Sequence, residues 1–131
     1  MASIFTKIGQ GDIPGHFVAK DEEFFAILDI KPLRKGHVLV IPFQEVDYIY
    51  DLPADVIGRY FEFAQRVAKA IKKCIPCDRI GTAVVGLEVP HAHVHLIPID
   101  KIEDMNFSKP KLELSQEELA EVAQQIADQF I

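Results

Sequence analysis

Three of the five histidines fall within five residues, His91-Ala92-His93-Val94-His95, and Leu96-Ile97-Pro98 follow. On an extended strand alternate residues share a face. His91, His93 and His95 are therefore expected to project together, while Ala92, Val94 and Leu96 enter the core. Each imidazole carries polar edges that need partners wherever it is buried, so packing alone explains such a row poorly. With ~6.6 Å between alternate residues and an effective dielectric of about 20, two imidazolium charges repel by roughly 2.5 kcal/mol. The row cannot then be fully protonated near neutral pH, and at least one ring stays neutral and basic. A neutral ring beside cationic ones suits attack on phosphorus, one ring attacking while the others hold charge on the oxygens. Two readings compete. His91 and His93 could place two nitrogens on zinc in a metal-dependent hydrolase, with His37, Glu88 or a cysteine completing the set; rings ~13 Å apart at the ends of a straight strand, however, suit one ion poorly. The row could also be a surface feature without a role.

The elements that must carry these histidines follow from pattern. The first fifty residues read as short strands between turns: Gly9, Gly11, Pro14 and Gly15 punctuate an opening loop. Phe17 to Ala19 and Phe24 to Leu28 are strand candidates around a charged turn, and His37 to Ile41 is a β-branched run suited to burial on both faces. Asp51 and Pro53 signal a helix start. Ile57, Tyr60, Phe61, Ala64, Ala68 and Ile71 then recur at helical steps as one apolar stripe, and Pro76 ends the helix. Gly81 to Leu87 and His91 to Ile99 are the last strand candidates. The stretch from Lys101 to Lys111 reads as a connecting loop. Ser115-Gln116-Glu117-Glu118 is a capping box opening a final helix, with Leu119, Val122, Ala123 and Ile126 facing the core or a second subunit. Strands, helix, strands, helix make an α+β chain with an antiparallel sheet of about five strands, a main helix packed on it and a C-terminal helix.

Composition sets bounds on function. The chain has 131 residues, 49% of them hydrophobic and 26% charged, which suits a single domain able to bury a core. Residues 3–100 form the expected core and 101–131 a C-terminal extension. A formal net charge of -6 opposes nucleic-acid binding, which needs a cationic field, but leaves room for a small phosphorylated ligand. No leader or membrane-spanning run is apparent, and the expected location is cytoplasmic, with no membrane partner. Cys74-Ile75-Pro76-Cys77 has redox spacing but closes a helix instead of opening one, and is read as structural. His16 in its loop, Arg34 and Lys35 in a turn, and Lys72-Lys73 at a helix end are read as solvated.

His91-Ala92-His93-Val94-His95-Leu96-Ile97 resembles the histidine-triad motif of the HIT family, three histidines interleaved with apolar residues. Ser3 to Ile8 with Gly11-Asp12-Ile13-Pro14, Leu28-Asp29-Ile30-Lys31-Pro32, and Gly36 to Pro42 are similar to the family's earlier blocks, in the same order. The likeness runs from about Ser3 to Pro98. It implies a HIT-like fold and a nucleotidyl hydrolase or transferase acting at the α-phosphorus of nucleoside monophosphate conjugates, of phosphoramidate or dinucleoside polyphosphate type. The middle histidine, His93, would form a nucleotidyl-histidine intermediate, with His91, His95 and His37 around the phosphate. Asp29 matches the ribose ligand, and a carboxylate can accept from vicinal hydroxyls. Ile4, Phe5, Ile8, Ile27 and Ile30 match positions walling a purine pocket. The implied partners are a purine nucleotide or its conjugate and a second copy of the chain in a homodimer; no cofactor is called for.

The departures bear on chemistry. Zinc-bearing members carry Cys-x-x-Cys where this chain has Ser3 and Thr6, and histidine where it has Glu45, so no metal is expected there. The loop before the triad is shortened to Val84-Val85-Gly86-Leu87-Glu88. Glu88 stands where members have a hydroxyl, and an ionised carboxylate cannot donate to a leaving group as a hydroxyl does; Glu88 is either protonated and an acid or turned away. A catalytically weak nucleotide-binding module is the remaining alternative.

Overall fold

The computed structural model describes residues 2–131. Its first element is a helix, α1 (Ile4–Gly9), capped by Ser3, whose hydroxyl accepts from the Thr6 amide at 3.0 Å. The opening read from sequence as loop and short strands is therefore corrected. Six residues are too few to display a helical period, and so short a helix is held by packing more than by propensity. Phe5 and Ile8 are its buried residues.

Five strands follow the order of the pattern: β1 (Phe17–Lys20), β2 (Phe24–Leu28), β3 (Val38–Pro42), β4 (Arg79–Ala83) and β5 (Val94–Ile99). They form one antiparallel sheet in the order β1-β2-β3-β5-β4. Strand ends differ from the sequence reading: β3 is shifted by one residue, and β4 begins two residues earlier, at Arg79. β4 ends at Ala83, not Leu87, and β5 begins at Val94, so His91 and His93 lie in the approach to the strand. Prolines at 90 and 98 flank this run, and Pro90 cannot donate to a ladder.

The main helix, α2 (Ala54–Cys74), and the last, α3 (Gln116–Gln129), cover one face of the sheet. Val18, Phe24, Ala26, Leu28, Val38, Val40, Val94 and Leu96 meet them in the larger core cluster. The buried stripe of α2 runs through Tyr60, Phe63, Ala64, Val67, Ala70 and Ile71. Phe61 is exposed and Ala68 only half-buried, so the stripe is rotated from the predicted one. Tyr60 fixes that rotation: its ring stacks on Phe24 at 5.0 Å and its hydroxyl donates to the Val40 carbonyl at 2.6 Å. The capping box of α3 forms as read, with Ser115 and Glu118 exchanging hydrogen bonds.

The other sheet face carries Phe25, Ile27, Leu39 and Ile41, covered by Phe5 and Ile8 of α1. Because β2 and β3 are covered on both sides, they read as unbroken apolar runs. Leu39 pairs with His95 across the β3–β5 ladder, which puts the triad on the α1 side. Gly36, at φ +91, makes the turn into β3, where an added Cβ would lie 2.9 Å from Ile75. The segment after β5 is not a plain loop; it contains a 3-10 turn, Ile102–Met105. No helix among the described residues is long and apolar enough to cross a membrane.

Candidate functional site

Backbone groups before β3, at its end and before β5 fix the hydrogen positions on three imidazoles, and one of these rings fixes the fourth. The Leu33 amide donates to His37 Nδ1 at 3.1 Å, so His37 carries its proton on Nε2. That proton goes to Nδ1 of His95, 2.9 Å away, and leaves His95 with its N–H on Nε2. His93 donates from Nδ1 to the His91 carbonyl at 2.8 Å, which leaves a lone pair on Nε2. His91 donates from Nε2 to the Pro42 carbonyl at 2.7 Å and accepts at Nδ1 from the Ser3 hydroxyl at 2.6 Å.

These bonds divide the row. His93 and His95 stand with ring centroids 5.0 Å apart, and together with His37 they line a cavity of about 470 Å³, a size that suits a small-molecule ligand. His91 is wholly buried and does not line it; both of its ring nitrogens are already engaged. The expectation that all three rings project together is thus corrected. The chain reaches the strand only at Val94, and His91 turns back toward α1. Phe5 packs edge-on against both His91 and His93, at 5.9 and 4.9 Å.

Burial is the first cause of the electrostatics. It pushes His37 down to about 3, helped by the charges His95, Lys111 and His93 can carry. It pushes His95 down to about 4, again with His93 adding to the effect. His91 is lowered by burial, against the Pro42 carbonyl and the Glu45 carboxylate. Neutral rings near neutral pH are what the repulsion argument required, with burial the larger reason. Asp29, raised by burial, accepts from the Lys31 amide at 2.9 Å, and its Oδ2 lies 3.7 Å from His37 Nε2.

Asp29, Ile30 and Glu88 line the cavity. Phe5, Ile8 and Ile27 do not line it but are buried together in the smaller core cluster, and Ile4 is half exposed outside its lining. Sequence reasoning missed Phe107 and Lys111, which also line it; a connecting loop carries no period that could have flagged them. Arg34, read as a solvated turn residue, instead pairs with Asp104 and Asp100.

Among the described residues, Asp29, His37 and His95 are the group whose ligand atoms converge, within 4.8 Å of one another. The H-x-H pair does not, because His91 is tied on both nitrogens. Ser3, Thr6 and Glu45, the positions set against zinc ligands in the sequence, are closed by hydrogen bonds among themselves and to His91. Thr6 donates to Glu45 at 2.6 Å, the Ser3 amide donates to the same oxygen at 2.6 Å, and the Ser3 hydroxyl occupies His91 Nδ1. Two hydroxyls without a thiolate do not fit zinc. The Ser3 amide and the Thr6 hydroxyl hold the Glu45 carboxyl below its usual range.

Comparison with known proteins gives a consistent result. The HIT domain family model matches residues 10–102. "Protein hit" of Bacillus subtilis is 36% identical over 100 residues, covering 72% of this chain and 69% of that protein. The adenosine 5'-monophosphoramidase hnt1 of Schizosaccharomyces pombe is 30% identical over 132 residues, 99% of each chain. The solved structure of a Hit-like protein involved in cell-cycle regulation from Bartonella henselae superposes with a TM-score of 0.85 at 28% identity, covering 98% of this chain and 96% of that one.

Proposed function

The chain belongs to the HIT domain family, and on that premise we propose that it is a nucleotidyl hydrolase or transferase. Its substrates are nucleoside monophosphate conjugates, cleaved at the α-phosphorus through a nucleotidyl-histidine intermediate. The observation carrying this reading is the bond from His93 Nδ1 to the His91 carbonyl, which leaves the Nε2 lone pair of a cavity-lining ring free to attack.

In the first step His93 Nε2 bonds to phosphorus as the bond to the leaving group breaks, the leaving amine departing with a proton taken from solvent. The ring becomes cationic, and the carbonyl of His91 stabilises its Nδ1–H. The His95 Nε2–H donates to a phosphoryl oxygen as charge develops there, and His37 keeps that hydrogen in place. Water or an acceptor then attacks phosphorus, releasing its proton to solvent, and His93 departs neutral. Asp29 accepts from the ribose hydroxyls. Ile30 flanks the base from the cavity lining, and Ile4, Phe5, Ile8 and Ile27 support that wall from outside the lining. Glu88 faces the leaving group. Residues 1–131 act as one domain, cytoplasmic and without cofactor, and a second copy joins in a homodimer. An adenosine 5'-monophosphoramidase among the relatives supports an amine as leaving group.

The test is the intact mass of protein quenched during turnover of an adenosine phosphoramidate. An acid-labile AMP adduct is expected, absent from His93→Ala. Normal turnover by that variant would exclude His93 as the nucleophile.

A further inference from the structure

The family match ends at residue 102, yet the chain returns to the cavity beyond it. The returning segment is strapped at both ends. Before it, Asp104 accepts from Arg34 and from the amides of Asp100 and Lys101. After it, the Leu112 amide donates to the Pro32 carbonyl at 2.8 Å, beside the turn that carries Asp29 and Lys31. Between the straps Phe107 sets its ring edge-on to His95, 4.8 Å between centroids. The Lys111 ammonium folds back on the same segment and donates to the carbonyls of Phe107 and Lys109. An ammonium has three donors, so one remains. Among the described residues Lys111 is in no ion pair.

The charge balance of the cavity gives that remaining donor a purpose. His37 and His95 are neutral near pH 7, and Asp29 and Glu88 put carboxyl groups on the wall. A phosphate entering there needs a cation. Two lysines line the cavity, and Lys111 is the one whose ammonium is fixed by protein carbonyls. Its charge is felt at both Asp29 and His37, the side where ribose and phosphate meet in the proposed mode.

We propose that Lys111 is a phosphate-binding residue, supplied by the C-terminal extension of the same chain to hold the anionic part of a nucleoside monophosphate. The inference rests on the nucleotide reading of the cavity. Phe107 and Lys111 are then the residues of this segment that belong to the binding site, Phe107 set edge-on to His95 and Lys111 neutralising the phosphate.

Calorimetric titration of AMP and of adenosine into the full chain separates the possibilities. Lys111→Met should weaken AMP by about tenfold to a hundredfold, the usual worth of a charged hydrogen bond, and leave adenosine unchanged. Lys111→Arg should restore most of the AMP affinity, and the salt dependence of AMP binding should flatten in Lys111→Met. Lys109→Met, on the same segment but off the cavity, should bind AMP like the parent. Equal AMP affinity in Lys111→Met overturns the proposal, as does a proportional loss of AMP and adenosine, which would mark a merely structural loop. A parent chain that binds neither ligand overturns the nucleotide reading and this inference together.

Discussion

The Ser3 hydroxyl donates to Nδ1 of His91 across 88 positions of sequence, at 2.6 Å and fully buried. One side chain thereby caps α1, docks that helix on the sheet, and fixes the ring of the residue whose backbone carbonyl orients His93. Ser3→Ala leaves a buried acceptor without a donor and should cost about 1–3 kcal/mol. Urea unfolding measures it, and a loss below a few tenths would mean the bond contributes nothing net.

Acid should destabilise the chain through its neutral histidines. His37 and His95 titrate at about 3 and about 4 when folded, against 6.5 as free groups. Between those values the unfolded chain binds more protons, so stability is complete above about pH 6.5 and falls as pH drops through the window. The slope is about 1.4 kcal/mol per pH unit for each ring. Unfolding free energies measured between pH 5 and 6 should follow it, His91 adding in the same direction, and His37→Gln should remove one ring's share of the slope. An unaltered slope in that variant would show that His37 is charged in the folded protein.

Glu88 on the cavity wall should bias the leaving group. A carboxylate there disfavours a polyphosphate and tolerates an amine. Glu88→Gln should raise turnover of a dinucleoside polyphosphate relative to an adenosine phosphoramidate by about fivefold, the effect of one solvent-screened like charge. Competition between the two substrates gives the ratio directly; a fall in that ratio would point instead to Glu88 acting as the acid.

Tyr60 tests stability apart from the site. Its hydroxyl bonds the Val40 carbonyl in the main core, away from the cavity. Tyr60→Phe should lose about 1–2 kcal/mol with turnover unchanged, as read by paired denaturation and rate measurements.

Much of the fold was legible because it rests on local rules. Unbroken apolar runs between turns located β2 and β3, the capping box marked α3, and Pro76 stopped α2. The triad was visible because residue type and spacing were enough to raise it. The rotation of α2 was not, since two neighbouring stripes fit the same period and contact with Phe24 and Val40 selected one. Nor was α1, whose single cap and two buried residues are too short a signal.

The sequence by itself determined that three imidazoles would stand near one another beside an apolar sheet, and that their electrostatics would keep some of them neutral. Only the tertiary structure decided which ring faces the cavity, which proton each nitrogen carries, and that Ser3 at one end and Lys111 near the other complete the arrangement. Hydrogen-bond direction and burial depend on groups brought together from distant positions, and no periodicity along a chain encodes which distant carbonyl or amide will arrive.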